Sequence, residues 1–392
     1  MTPGARVAAA IGVLDRVLAG EAAEKALVNW ARGNRYAGSG DRAAVRDHVF
    51  DALRRLRSCA ALGGGMTGRG LMLGLIRAQG GDVAALFSGA GHAPPPVGPE
   101  ETPRPMTPAE ALDCPDWLEA PLRAALGPDF AQVMQSMQTR APVFLRVNLL
   151  RSDVAAAQAA LAAEGIVARP HPLATTALEV TDGARKVASS APYRDGRVEL
   201  QDAASQAVVE ALPLTDGMQV LDACAGGGGK TLAMAARARV TLTAADADPR
   251  RMADLPARAA RAGVRVRLAG AGATGHFDLV LADAPCSGSG AWRRQPEARW
   301  RLDAARLADL TALQDAVLDA AAGRVAPGGW LAYATCSLLP AENADRVAAF
   351  LARNDGFRLV RQLRLTPLDG GDGFFLALMQ SKAEGTMPLI RG

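Results

Sequence analysis

From Met218 onward the chain alternates short apolar runs with helical stretches joined by tight turns, and that alternation leaves little choice of fold. The runs are MQVLDAC, VTLTAAD, VRVRLA, FDLVLADAP, WLAYATC and FFLALMQ, with helices expected from Thr231, from Pro249, from Leu302 to Val325 and from Glu342. Strict alternation predicts an α/β domain: a doubly wound parallel sheet with helices on its faces. Leu310, Leu313, Val317 and Ala321 would give the long helix one apolar stripe to lay on that sheet.

The rest of the chain divides by pattern. Val7, Ile11, Leu14 and Leu18, then Val45, Val49, Leu53 and Leu56, recur at spacings of three and four and predict an all-α bundle over residues 1–90. Residues 91–108 are rich in proline, lack apolar periodicity and read as a linker at a domain boundary. Residues 109–200 read as a helical connector, with Trp117, Leu118, Leu122 and Leu126 on one face, followed by a small α+β subdomain. Its parts are the strand FLRVN, a helix over Asp153–Glu164, a strand near Ile166–Ala168 and further strand-like pieces to Leu200. The α/β domain then covers 201–381, and 382–392 is a tail.

Composition narrows the partners. With 49% hydrophobic and 21% charged residues the chain has the make-up of a globular protein, which excludes disorder throughout. No apolar run approaches the roughly 18 to 20 residues that cross a bilayer, and Asp15 and Arg16 interrupt the first apolar stretch, so a cytoplasmic protein without a membrane partner is expected. Cys59, Cys114, Cys224, Cys286 and Cys336 form no CxxC pair, so reduced thiols and no metal are expected. A net charge of +4 permits an anionic partner without requiring one. Arg42, Arg46, Arg54, Arg55 and Arg57 crowd one helical stripe, as either a solvated face or an RNA-contacting one. Arg146, Arg151, Arg169, Arg185, Arg194 and Arg197 of the α+β subdomain have the spread to track a phosphate backbone. A monomer suits this layout.

The first α/β turn carries the cofactor signal. QVLDACAGGGGKT sets an apolar strand before Gly226, Gly227, Gly228 and Gly229 and a helix start. Glycine lets the backbone approach a ligand at the carboxyl edge of the sheet, and the helix start offers free N–H groups to an anionic group. A Walker phosphate loop would need glycine five positions before Gly229, where Cys224 stands. One strand later, Asp246 of TAADADPRRM is placed to accept hydrogen bonds from a ribose diol, whereas Asp248, before Pro249, suits a helix cap. Either NAD or S-adenosylmethionine presents such a ribose. Lysine occupies just four of 44 basic positions, which makes Lys230 beside the glycines informative.

Two further strands, LADAPCSGSG and YATCS, each end in a cysteine followed by serine at the same sheet edge. Cys286 and Cys336 should therefore lie close together and near the glycine loop. Either alone could be a buried structural cysteine. Together at a ligand-binding edge, with Asp283 just upstream, they have the make-up of a nucleophilic site.

The ordered set LDACAGGGGKT, ADADPRRM, FDLVLADAPCSGSG with WRRQPEARW, and YATCSLLPAEN, spanning roughly Gln201 to Gln380, resembles the RsmB-like (Fmu/Sun) branch of the RNA 5-methylcytosine methyltransferases. FLRVN and VELQDAASQ resemble that family's small RNA-binding subdomain and its junction, and residues 1–90 resemble its NusB-type helical domain. The resemblance implies a Rossmann-like class I S-adenosylmethionine methyltransferase domain acting on RNA, with small-subunit rRNA the foremost substrate. It further implies that Cys336 is the nucleophile, adding to cytosine C6, and that Cys286 assists product release. Cys224, Ala225, Gly226, Gly227, Gly228, Gly229, Lys230 and Asp246 would bind the cofactor, and Asp283 would line both cofactor and base.

Two departures qualify it. Gly226 and Gly227 stand where the family usually has Ala-Pro, and Ala271 stands where an aspartate usually contacts the adenosine. Weaker cofactor affinity is expected; an Ala271→Asp variant that bound no more tightly would show that the missing carboxylate does not matter. An RNA-binding assembly factor without activity is the alternative, disfavoured because both cysteines, Asp283 and the glycine loop are retained. An NAD-dependent oxidoreductase is disfavoured because the loop lacks GxGxxG order.

Overall fold

The computed structural model describes residues 1–270 and 273–383, which fall into two compact units: Met1–Arg140 with Trp292–Arg301, and Ala141–Ala291 with the residues from Leu302 onward. Ala271 and nearly all of the 382–392 tail lie outside the described residues.

The second unit holds two sheets. The strands of the smaller are β1 (Val143–Val147), β2 (Val167–Pro170), β3 (Ala177–Asp182) and β4 (Val198–Leu200), antiparallel in the order β2-β3-β1-β4. A helix, Val154–Ala163, links β1 to β2; Asp153 caps it by accepting from the Ala156 N–H at 2.8 Å. Leu145, Val147, Leu161, Ile166 and Val198 form its core.

The larger sheet has strands β5 (Gln219–Asp222), β6 (Thr241–Ala245), β7 (Val266–Ala269), β8 (Phe277–Asp283), β9 (Val325–Thr335), β10 (Phe357–Leu365) and β11 (Phe374–Ser381), in the order β10-β11-β9-β8-β5-β6-β7. From β7 to β9 every pairing is parallel. The wholly parallel expectation fails at one edge, where β11 runs antiparallel between β9 and β10. Side chains alternate between the two faces. Val220, Leu279, Leu281 and Ala332 pack toward the helix Ala203–Glu210, while Leu221, Val280, Ala282 and Leu331 meet Leu318, Val347 and Phe350 on the other side.

The long helix, Ala304–Ala322, buries Leu310 and Ala321 of the stripe read from the sequence, together with Gln314 and Leu318. Leu313, 46% exposed, lines a cavity described below, and Val317, half-buried against the core, forms part of its wall.

The first unit is helical, and its main core joins Val7, Leu14, Val45, Val49, Leu71 and Leu75. Leu18 and Trp117 are exposed, contrary to the stripes assigned to them. Nor is 91–108 a boundary. Arg69 pairs with Glu101 at 2.5 Å and donates to the carbonyls of Pro95 and Pro96 at 3.0 Å, and the Arg104 N–H reaches the Ala61 carbonyl at 3.0 Å. Proline forbids a helix there but not packing, so 109–140 belongs with the helices before it.

Trp292–Arg301 also belongs to this unit, far from it in sequence. Arg299, fully buried, donates to the carbonyls of Asp113 (3.0 Å), Met137 (3.3 Å) and Arg54 (3.5 Å), with Trp292 and Trp300 rings 5.0 and 5.5 Å from its guanidinium. Burial pushes its pKa down to about 10 against the opposing charge of Asp113.

Several arginines read as either solvated or RNA-contacting have internal partners. Arg54 bonds the Arg293 carbonyl and Asp51, Arg55 the Gln138 carbonyl, and Arg57 the Cys114 carbonyl and Asp116. Arg146 is buried, donating to Gln201 and the Gly229 carbonyl, both at 2.9 Å, so it cannot follow a phosphate backbone.

Candidate active site

The carboxyl ends of β5, β6, β8 and β9 converge, as a parallel sheet requires, and loops carry the polar groups there. β5 runs through Leu221 and Asp222 into the glycine loop. Gly226 and Gly228 have φ of +49° and +80°, conformations that favour glycine. At Gly228 a Cβ would also lie 2.1 Å from the Leu255 Cδ1. The turn delivers Gly229 and Lys230 as the first residues of the helix Gly229–Ala235.

Asp246, at the end of β6, is buried and tied to this loop. Its Oδ2 accepts from the Gly226 N–H at 2.9 Å and its Oδ1 from the Asp248 N–H at 3.0 Å. Arg251 Nη1 also lies 3.3 Å from Oδ2 and 3.4 Å from Oδ1, so a ribose diol would take these acceptor sites in place of the Arg251 guanidinium, whose side chain is 56% exposed. Asp248 caps the following turn by accepting from the Arg250 N–H. A cavity of about 500 Å³ opens beside Asp246, lined by Cys224, Ala247, Arg251, Pro285, Leu313 and Val317. That size is within the range of small-molecule sites. Burial pushes the Cys224 thiol up to about 12, with the charges of Asp222, Asp283 and Asp246 adding to it, so Cys224 is a neutral wall.

Lys230 turns away from this cavity. Its ammonium lies 2.6 Å from Asp283 Oδ2 and 4.6 Å from the centre of the Phe374 ring. Burial alone would lower the ammonium, but the charge and hydrogen bond of Asp283, then the charges of Cys336 and Asp222, raise it above its ordinary value. It is therefore a fixed cation between the glycine loop and the end of β8.

Beyond Asp283 lie the thiols. Cys286 Sγ and Cys336 Sγ are 3.4 Å apart, each just past the end of its strand. Parallel pairing of Asp283 with Ala334, continued by the Ala284 N–H to the Ala334 carbonyl at 2.9 Å, sets this proximity. The Gly290 N–H donates to the Cys336 carbonyl at 2.9 Å, and a Cβ at Gly290 would stand 2.1 Å from the Gly373 carbonyl oxygen. The Cys286 pKa is raised well above the ordinary thiol range by its hydrogen bond to Cys336, by burial and by the charges of Cys336 and Glu342. Cys286 thus keeps its proton.

Two site groups escaped the sequence reading. Glu342 is fully buried among the serines that follow the cysteines. Asp222 is buried under the glycine loop, its Oδ2 accepting from Thr231 Oγ1 at 2.6 Å. Burial pushes the Asp222 pKa up to about 6 from 3.8. The folded chain then holds a proton that the unfolded chain has lost between these values, so this group makes stability fall as pH rises from about 4 to about 6. Relative to Asp222→Asn, the wild type should lose up to about 3 kcal/mol over that window. Urea titrations of both proteins at several pH values measure the difference; parallel stability curves would contradict the shift.

A family model described as 16S rRNA methyltransferase RsmB/F matches residues 209–380, and one described as the RsmF/B-like ferredoxin-like domain matches residues 114–187. Ribosomal RNA small subunit methyltransferase B of Serratia proteamaculans is 34% identical over 285 residues, 67% of this chain and 65% of that protein. The protein of the same name from a Xylella fastidiosa strain is 37% identical over 285 residues, 67% of each. The chain thus spans about two thirds of the length of these curated relatives. The crystal structure of PH0851 matches with TM-score 0.76 at 23% identity, over 97% of this chain and 99% of that one. A methyltransferase homolog protein from Pyrococcus horikoshii matches with TM-score 0.62 at 24% identity, over 70% of this chain and all of that one. At these identities the two structures speak for the Rossmann-like fold, and the closer sequence relatives for kinship: the chain belongs to the RsmB/F family of 16S rRNA methyltransferases.

Proposed function

We propose that this protein methylates carbon 5 of a cytosine in small-subunit rRNA, with S-adenosylmethionine as methyl donor and Cys336 as covalent nucleophile. The observation that carries the reading is the pair of thiols 3.4 Å apart at the sheet edge that also bears the Lys230–Asp283 ion pair and the glycine loop.

The residues at the glycine loop fit the cofactor. Asp246 accepts for a ribose diol once the partly exposed Arg251 swings off it, Leu313 and Val317 offer apolar surface for an adenine, and the start of the Gly229–Ala235 helix favours a carboxylate. When bound, the cofactor supplies an electrophilic methyl on a sulfonium. Lys230 serves Asp283 and the thiols in this reading, rather than the cofactor alone.

Cytosine C5 is a poor nucleophile until a thiolate adds to C6. The Cys336 sulfur forms that bond, the C5–C6 double bond opens, and C5 takes the methyl group. Asp283, anchored by Lys230, holds the N3 and amino edge of the base. Once Cys336 is a neutral thioether, its negative charge no longer holds the proton on Cys286. Cys286 then loses that proton to solvent and takes the one left on C5. The double bond re-forms and the C6–S bond breaks, returning Cys336 as thiolate. The helical unit and the small antiparallel sheet bind RNA in this scheme.

Incubating the chain with methyl-labelled S-adenosylmethionine and small-subunit rRNA, then digesting to nucleosides, tests the reading. Label in 5-methylcytidine is expected. Label in a different nucleoside, or binding of rRNA without transfer, would replace it with a different methylation or with the assembly-factor alternative.

A further inference from the structure

The residues that directly follow the two cysteines share one buried acid. Glu342 sits in a short helical turn, Pro340–Glu342, and is fully buried. Its Oε1 accepts from the Ser287 N–H at 2.8 Å and from Gln314 Nε2 at 3.1 Å. Its Oε2 accepts from the Ser287 hydroxyl and the Ser337 hydroxyl, each at 2.5 Å. Gln314 also donates to the carbonyl of Pro285, the residue before Cys286, at 2.9 Å. The turn itself is held by the Tyr333 hydroxyl, which donates to the Glu342 carbonyl at 2.7 Å, and by Asn343, which bonds Thr335 and the Ser337 carbonyl.

A buried carboxylate is costly unless its oxygens are occupied, and here all four donors come from the two cysteine loops and the helix behind them. Charge-assisted bonds of this length are the strong ones. We propose that Glu342 is a positioning residue for the thiol pair: its carboxylate clamps the loop after Cys286 to the loop after Cys336 and so fixes the spacing across which one sulfur assists the other. The same charge faces the Cys286 thiol and helps hold its proton. Gln314 is the neutral group facing the carboxylate from the Ala304–Ala322 helix, and Arg346, beside it on the helix Ala344–Arg353, is already paired with Asp315 at 2.6 Å.

The proposal rests on the reading of Cys286 and Cys336 as working partners, so its test includes a measurement that needs neither RNA nor cofactor. Diamide, which removes two hydrogens from a close thiol pair and becomes a hydrazine, reports the spacing directly. In Glu342→Ala, linkage of Cys286 to Cys336 should slow by at least about fivefold, because the attacking sulfur no longer meets the diamide-bearing sulfur in line with the departing hydrazine. The kcat for methylation should fall about 10- to 100-fold with KM for RNA changed less than about threefold, as expected of a displaced rather than deleted group. Glu342→Gln keeps the volume and part of the bonding while removing the charge, and guards against a variant that fails to fold. In it, alkylation of Cys286 should begin at lower pH than in the wild type. If either folded variant links its thiols at the wild-type rate and Cys286 alkylates with an unchanged pH profile, the clamp is overturned. A wild type that links its thiols normally but transfers no methyl group to cytosine in RNA would instead sink the methylation reading and leave the clamp standing.

Discussion

Replacing Cys336 by alanine is expected to lower methyl transfer to RNA by at least about 10⁴-fold, because deleting a covalent nucleophile removes the route rather than slowing a step on it. Cys286→Ala should behave differently. Addition and transfer still proceed, but removal of the C5 proton stalls, and a protein–RNA adduct that survives denaturing gels accumulates. The asymmetry follows from the two surroundings: the contact with Cys336, burial and the charge of Glu342 raise the Cys286 thiol well above its ordinary range, so the two sulfurs are not equivalent although they lie 3.4 Å apart. Single-turnover assays with labelled methyl donor, run beside denaturing gels, separate the outcomes. Reversed phenotypes would exchange the roles.

The largest stability effect is expected at Arg299. Its alanine variant should lose about 3 to 5 kcal/mol of unfolding free energy, the range for removing one member of a buried charged network. Three carbonyls, of Arg54, Asp113 and Met137, would lose donors, Asp113 would lose its nearby cation, and the space between Trp292 and Trp300 would empty. Urea denaturation followed by tryptophan fluorescence reports this unit directly, since both rings flank the guanidinium. A loss below about 1 kcal/mol would mean that the burial of Arg299 contributes little to holding the unit together.

How much of this could be read from residue order varies by element. The parallel core was legible because β5, β6, β8 and β9 are buried and read as continuous apolar runs, and because the glycines and both cysteines fall at strand ends. β10 was not legible: FRLVRQLRL is an edge strand whose arginines, Leu359 and Val360 are exposed while Leu363 and Leu365 reach the core, so no continuous apolar run marks it. β9 begins at Val325, earlier than expected, because Pro327, Gly328 and Gly329 read as a turn although they lie within the strand. The proline-rich 91–108 looked like a boundary because local chemistry says what a segment cannot form, whereas its contacts with Arg69 and Ala61 come from distant residues.

The site shows the same division. Asp246, Asp283, Cys286 and Cys336 could be picked out from position alone. Asp222 and Glu342 could not, since an acid inside an apolar run or a PAEN turn gives no sign that it will be buried against two loops. Leu313 and Val317 continue the apolar stripe in the sequence, but the helix turns Leu318 into the core and Gln314 toward Pro285 and Glu342, leaving Leu313 exposed at the cavity and Val317 half-buried at its wall. Arg54 and Arg146 show that an arginine in a basic cluster can serve as an internal strut.

The claim that Cys336 bonds to the base is tested most directly with RNA containing 5-fluorocytidine. After addition at C6 and methylation at C5, no C5 proton remains to be removed, so the C6–S bond cannot break and the adduct persists. Wild-type protein incubated with this RNA and S-adenosylmethionine, then digested and analysed by mass spectrometry, should carry the nucleotide on the peptide containing Cys336. A nucleotide on the Cys286 peptide, or no adduct from a preparation that methylates ordinary RNA at full rate, would contradict it.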